Sequence, residues 1–281
     1  MDEQAIRDFW QVHPCGDGQV SKRDFNDYEL FFKEYDAFRY KKEGHILGCL
    51  DAIDFNGKRV LEIGLGQGAE SEQLIRRGAV WTGLDLTEEA VDRTRTRLTI
   101  KNLPFEDVVR GSALDMPFAP GQFDMVFSHG VLHHIPDIAK AQSEIHRVLK
   151  DDGELVAMVY ARASLNYLVS IAIVRRLGLI GMMALGLKPG GIYGQHIENA
   201  KKVGLWRYLA MDEFIHRNTD GPLNPYAKVY DLHAAEVDFK DFEVTRSYQR
   251  FMYAPPLPVE WMPFERQLGW HLWLHMKKKG R

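Results

Sequence analysis

Only two cysteines, Cys15 and Cys49, occur in 281 residues, too few for a disulfide framework or a four-ligand zinc site. Positive charge is not in excess either, since 36 basic residues face 39 acidic ones for a formal net charge of −3. That leaves no global field of the kind nucleic-acid binders use to gather phosphates. Long apolar runs are missing too. The most apolar stretch, Leu165 to Leu187, is divided by Arg175 and Arg176, and its parts fall short of the about 20 residues a membrane-spanning helix needs. The N-terminal Met1-Asp2-Glu3-Gln4 is acidic and lacks the basic and apolar regions of a signal peptide, so a cytoplasmic location is expected. Repeats and low-complexity segments are not seen.

What is present is an ordinary globular balance, with 45% hydrophobic and 27% charged residues, on a chain long enough for one large domain or two small ones. Its organising stretch is Arg59-Val60-Leu61-Glu62-Ile63-Gly64-Leu65-Gly66-Gln67-Gly68-Ala69-Glu70. A short, branched apolar run breaks into glycines at alternate positions and continues into a polar helical segment. This predicts a buried strand, a tight turn and a helix N-terminus whose free N–H groups meet a ligand.

Around that turn, strands and helices alternate. Strands are expected at 58–64, 80–85, 106–110, 123–129 and 154–160, with helices at 69–77, about 88–101 and 138–149. Such spacing implies βαβ units and a mainly parallel sheet, with ligands at the carboxyl ends of the strands. Gly64, Asp85, Ser112 and His129 all fall there. Before this core, residues from about Asp24 to Leu50 are helical, with Tyr28, Phe31, Phe32, Tyr35, Phe38 and Arg39 at spacings of three and four. The aromatic stripe reads chiefly as core packing. After the core, 165–187 reads as one or two buried cap helices in preference to a helix at a membrane surface with arginines at headgroup level. A polar helix is expected from Gln195 to Arg217. Strand-like runs at 242–252 and 267–276, with no helix between them, would then form an antiparallel edge.

The turn formally satisfies a dinucleotide fingerprint, Gly64-x-Gly66-x-x-Ala69 with Asp85 beyond it. Glu62 argues otherwise, because a carboxylate inside a strand needs a donor or cation. An α-ammonium would satisfy it and a pyrophosphate would not. Downstream come Gly83-Leu84-Asp85-Leu86, Gly111-Ser112-Ala113-Leu114, Ser128-His129, Leu132-His133-His134-x-Pro136-Asp137 and Arg147-Val148-Leu149-Lys150-x-x-Gly153. In this order the chain resembles the class I S-adenosylmethionine-dependent methyltransferases, most of all the small-molecule branch with the ubiquinone, menaquinone and natural-product enzymes. The resemblance covers about residues 57–160.

The resemblance implies an α/β, Rossmann-like, mainly parallel seven-stranded sheet with an antiparallel last strand and a helical cap insertion. It divides the chain into an N-terminal segment closing over the cofactor (1–56), a cofactor-binding core (57–160), an acceptor-binding cap (161–232) and closing strands (233–281). Carried over by position, Glu62 and the backbone at Gly64 and Gly66 would hold the methionine end of S-adenosylmethionine, with Gln67 and Gly68 also in the cofactor site. Asp85 would bind its ribose, and Leu86, Ser112, Ala113 and Leu114 its adenine. Ser128 and His129 would close the pocket, with Tyr35 and Arg39 above. Ser112 departs from the family's usual aspartate and loses charge assistance.

For the chemistry, His133 or His134 is the candidate general base, with His133 slightly preferred and a purely structural role the rival reading. Tyr160 is a further candidate. No metal is expected, because no carboxylate or cysteine pair supports the histidines. Asn224-Pro225-Tyr226 resembles the motif of amino-methylating nucleic-acid enzymes but lies far from the fourth strand, so it reads as a loop. The expected activity is methyl transfer to a small, partly apolar acceptor, with S-adenosylhomocysteine as product and no nucleic-acid partner. The rivals are a protein methyltransferase, a non-catalytic cofactor binder and an NAD-dependent oxidoreductase.

Overall fold

The computed structural model describes residues 2–19 and 27–279. The expected helix start at Asp24 lies outside them. α1 (Glu3–Val12) is capped by the Asp2 side chain, and α2 (Tyr28–Lys42) by Asp27, whose Oδ1 accepts from Leu30 N at 3.1 Å. α2 buries Phe31, Phe32 and Tyr35 as the aromatic stripe requires. α3 (His45–Asp51) then leads to β1 (Arg59–Ile63).

Next come α4 (Ala69–Arg76), β2 (Val80–Asp85), α5 (Glu88–Ile100), β3 (Asp107–Arg110), β4 (Phe123–His129), α6 (Ile138–Val148) and β5 (Leu149–Tyr160). Seven strands form one sheet in the order β3-β2-β1-β4-β5-β7-β6, with β6 at Phe242–Arg250 and β7 at His271–Lys278. β1 to β5 run parallel, and β7 is antiparallel to both β5 and β6. Neighbouring residues along a strand feed opposite faces. Val60, Met125 and Phe127 pack with α3, α4 and α5, whereas Leu61, Ile63 and Val126 pack with α6 and the Leu232–Asp238 helix. Both faces being covered explains why these strands read as continuous apolar runs.

Between β5 and β6 the chain builds a separate helical cluster. It comprises a π-helix (Asn166–Arg175), α7 (Arg176–Ala184), α8 (Gly191–Val203), α9 (Leu205–Tyr208) and α10 (Met211–Thr219), packed around Ile171, Leu179, Tyr208 and Phe214. α11 (Leu232–Asp238) returns the chain to the sheet. Three expectations need correcting. The helix expected over 195–217 is three helices, because Gly204 (φ +91°) stops α8. A short helix, α12 (Glu265–Leu268), occupies the start of the expected last strand. The cap helices at 166–184 bury only Asn166, Ser170, Ile171 and Leu179, so most of that apolar segment is not core.

Candidate active site

The strand order reverses between β1 and β4, which opens a crevice at their carboxyl ends. A cavity of about 800 Å³ lies there, roofed by α1, α2 and the loop at 13–18 and bordered at the far end by the helical cluster. Its floor is the glycine turn. Gly64 sits at φ +82°, and a Cβ there would come within 2.1 Å of Val131. Gly66, at φ +54°, faces open space. Gly64, Gly66 and Gln67 line the cavity, whereas Gly68 caps α4 behind it. Gln67 ties floor to roof, with Nε2 donating to the Cys15 carbonyl and to Asp17 Oδ1, both at 2.9 Å.

Glu62 does not reach the cavity wall. It is buried under the turn, where Oε2 accepts the Trp81 indole N–H at 2.8 Å. Burial pushes its carboxyl up to about 8. The donor that a strand carboxylate demands is thus an indole within the fold. The carboxylate on the wall is Glu70, in the first turn of α4. Against a burial penalty, Arg39 of α2 holds Glu70 below the usual carboxylate range, with Nε to Oε1 at 2.8 Å. Arg39 also contacts Glu43 at 3.3 Å and His129 Nδ1 at 3.3 Å. Burial lowers His129 to about 3 and keeps it neutral, and its Nε2 has no hydrogen-bond partner among the described residues. Arg39, Glu70, His129 and Tyr35 therefore make one polar corner of the wall. Ser128 lies outside it, its hydroxyl donating to the Ile63 carbonyl at 3.0 Å.

At the other side of the turn, Asp85 ends β2 on the wall. Its oxygens accept Leu65 N at 2.7 Å and Thr87 N and Oγ1 at 2.8 Å. The Gly66 N–H of the glycine turn also bears on this carboxylate, so the turn and the Thr87 cap together fix its orientation at the wall. Leu86, Ala113, Leu114 and Ile6 supply apolar wall nearby. Ser112 is behind the wall, bonded to the Glu3 carboxylate of α1 and accepting Leu114 N at 2.9 Å. A carboxylate thus stands beside the serine, and Glu3 itself lines the cavity.

The far end carries the histidines. His134 reaches the wall from a short 3-10 turn after β4 (Leu132–His134). Its Nδ1–H donates to the Tyr226 carbonyl at 2.7 Å, so Nε2 is the basic nitrogen. Nε2 faces Asp220 Oδ2 at 3.4 Å, and Asp220 Oδ1 accepts the Tyr160 hydroxyl at 2.8 Å. Burial would raise the Asp220 carboxyl, but His134 and Tyr160 outweigh it and hold the group below its ordinary value. Tyr160, its proton committed and its ionisation raised by burial and by Asp220, is a poor base. His133 is buried behind the wall, its ring 3.9 Å from that of Tyr160. Neither of its nitrogens meets a hydrogen-bond partner among the described residues.

Ligand atoms of His133, His134 and Asp220 come within 4.8 Å of one another. This corrects the sequence argument against a metal, which rested on the lack of a supporting carboxylate. Asp220 was missed because it comes from the distant loop after α10, and Trp81 and Glu3 are likewise remote in sequence from their partners. Only Glu70 carried a local signal, as an acidic residue in the first turn of the helix after the glycines.

Residues 61–157 match a family profile described as a methyltransferase domain. A ubiquinone biosynthesis O-methyltransferase of Thiobacillus denitrificans is 31% identical over 183 residues, which cover 63% of this chain and 74% of that protein. A fatty-acid O-methyltransferase of Mycolicibacterium smegmatis is 39% identical over 102 residues, 36% of each chain. The chain thus matches only about a third of that second relative's length. An S-adenosylmethionine-dependent methyltransferase structure from Mesorhizobium loti shares the fold, with a TM-score of 0.53 at 15% identity over 82% of this chain and 96% of its own.

Proposed function

The chain belongs to the S-adenosylmethionine-dependent methyltransferases, and on that premise we propose that it methylates a hydroxyl group of a small, partly apolar acceptor. The observation that carries this reading is the His134–Asp220 pair on the wall of the far end. An acceptor already ionised, such as a carboxylate, needs no base. A neutral hydroxyl does, and a fixed-tautomer imidazole facing a carboxylate is suited to take its proton. The ubiquinone-pathway relative is an O-methyltransferase by name, in keeping with a hydroxyl acceptor.

The cavity residues fit the cofactor. Arg39 and Glu70 offer a cation and an anion to the methionine zwitterion, and Gly66 leaves space for it. Asp85, a carboxylate on the wall at the end of β2, would accept from the ribose. Leu86, Ala113 and Leu114 would flank the adenine, with Glu3 as the carboxylate beside Ser112. When bound, the cofactor supplies an electrophilic sulfonium methyl. The protein's part is to align the acceptor oxygen in line with it and to exclude water under α1 and α2. When the acceptor oxygen takes that methyl, its hydroxyl proton would pass to His134 Nε2. Asp220 then faces an imidazolium. Trp10, Phe38, Tyr253 and Trp270 on the acceptor side favour a flat or alkylated body over a polar one.

The test has two stages. Isothermal titration should show binding of S-adenosylhomocysteine and none of NADH; the reverse sinks the cofactor reading. Release of S-adenosylhomocysteine is then followed with alkylated catechols and with fatty acids of matching length. Turnover of the catechols alone, unaffected by EDTA, supports the base mechanism. Activity lost on EDTA would assign the His133–His134–Asp220 group to a metal instead. Tight cofactor binding without turnover would mark a non-catalytic binder.

A further inference from the structure

The helical cluster presents apolar side chains to solvent on a scale that single surface residues do not explain. Leu177 is 63% exposed, Leu185 75% and Trp206 78%, with Leu168, Ile173 and Leu187 about half exposed. These belong to the π-helix, α7 and its C-terminal loop, and α9. α7 packs on α8 and α8 on α9, so they share one side-by-side helical unit. The inner face of that unit is satisfied by Ile171, Leu179, Ile197 and Tyr208, and the outer apolar residues are surplus to its packing.

Charge is distributed unevenly along the same unit. From Ala184 to Arg207 the exposed ionic residues are Lys188, Lys201, Lys202 and Arg207 against Glu198. That is an excess of three positive charges on a chain whose total is −3. Leucines, an exposed tryptophan and interspersed lysines are the composition of a surface that sits at a lipid headgroup boundary.

We propose that this unit docks on an anionic lipid surface. It lies on the bilayer and does not cross it. The continuous helix Asn166–Ala184 is long and apolar enough to span by length and composition. Yet Arg175 is committed inward, with Nη1 donating to the Asn218 carbonyl at 2.6 Å and Nε to the Pro255 carbonyl at 3.0 Å. A span would place Arg175 and Arg176 at mid-helix in hydrocarbon, which is costly. Parallel docking keeps both where they are.

The surface also reaches the cavity. Ile192, at the start of α8 and 63% exposed, lines the mouth together with Leu223. An apolar acceptor dissolved in the bilayer would then pass from lipid into the cavity without crossing water. That consequence rests on the acceptor reading above, whereas docking itself does not.

Flotation of the full-length protein with vesicles separates the two. With phosphatidylcholine containing about a third phosphatidylglycerol, binding should exceed that to pure phosphatidylcholine by about tenfold or more at low salt, and it should weaken as salt rises. Lys201→Glu/Lys202→Glu should remove most of the preference for anionic lipid. Leu185→Ser/Trp206→Ser should lower binding about tenfold on both vesicles. All three proteins should bind S-adenosylhomocysteine alike, which shows the variants are folded. No flotation with either vesicle, or flotation unchanged by both variants, overturns the proposal. So does a concentration-dependent dimer in sedimentation that Leu185→Ser/Trp206→Ser abolishes, which would give the face to a second copy of the chain.

Discussion

An imidazole takes a proton from a bound acceptor only at a nitrogen that reaches the cavity, and this separates two adjacent histidines. His134 has Nδ1–H tied to the Tyr226 carbonyl and Nε2 on the cavity wall. His133 has both nitrogens sealed in the fold. His134→Gln should therefore lower kcat about 10²- to 10⁴-fold. The affinity for S-adenosylhomocysteine, measured by titration, should stay within about twofold, because His134 lies away from the Arg39–Glu70 corner. Asp220→Asn should also lower kcat, since an amide N–H would occupy the Nε2 lone pair. His133→Phe keeps the ring packed against Tyr160 and should change kcat less than about threefold. Equal losses in the 133 and 134 variants would defeat the assignment. No local pattern tells these two residues apart, because what distinguishes them, Tyr226 and Asp220, arrives from far along the chain.

Among the elements, the strand–turn–helix unit was the most legible, and the reason is physical. Parallel strands buried on both faces leave apolar runs, and a turn that a ligand must approach leaves glycines. The glycines nonetheless do different work. A Cβ at Gly64 would meet Val131 in addition to the left-handed strain at φ +82°. Gly64→Ala should therefore cost about 2 kcal/mol or more in urea denaturation. Gly66→Ala meets no neighbour and should cost only about 1 kcal/mol of left-handed strain. Its methyl group would enter the cavity, so its main effect should be a loss of S-adenosylhomocysteine affinity. If both variants lost stability equally while binding the ligand normally, the turn would not be a ligand cradle. The cap was less legible. Its apolar residues read as core, and only the packing of the helices shows which face is turned outward.

At the scale of the whole molecule, the formal charge of −3 conceals how many ionisable groups the fold holds in one state. Burial lowers His129 to about 3 and His45 and His196 to about 4, and it takes His133 and His271 well below 6.5. All five are neutral in the folded protein but protonate on unfolding below about 6.5. The unfolded chain then binds more protons, so stability is fully present above 6.5 and falls as pH drops below it. Glu62 works in the opposite sense. Burial keeps it protonated up to about 8, whereas unfolded it ionises above about 4.5, so its contribution declines from pH 4.5 to 8. Each group changes stability by at most about 1.4 kcal/mol per pH unit. Toward pH 8 Glu62 gives a shallow alkaline decline. Just below 6.5 these five, together with His216 and His275, which burial also lowers, oppose one carboxyl and give a steep acid decline, which Asp36, Glu43 and Asp85, also raised by burial, offset only nearer pH 4. The midpoint of urea unfolding should therefore peak slightly above pH 7 and fall faster toward pH 5 than toward pH 8. His45→Asn should flatten the acid side, since its ring meets the His271 ring at Nε2 to Nδ1 3.1 Å and both must stay uncharged together. A midpoint that climbed steadily down to pH 5 would mean that these histidines are solvated, and with them that the wall of the cavity is open to water.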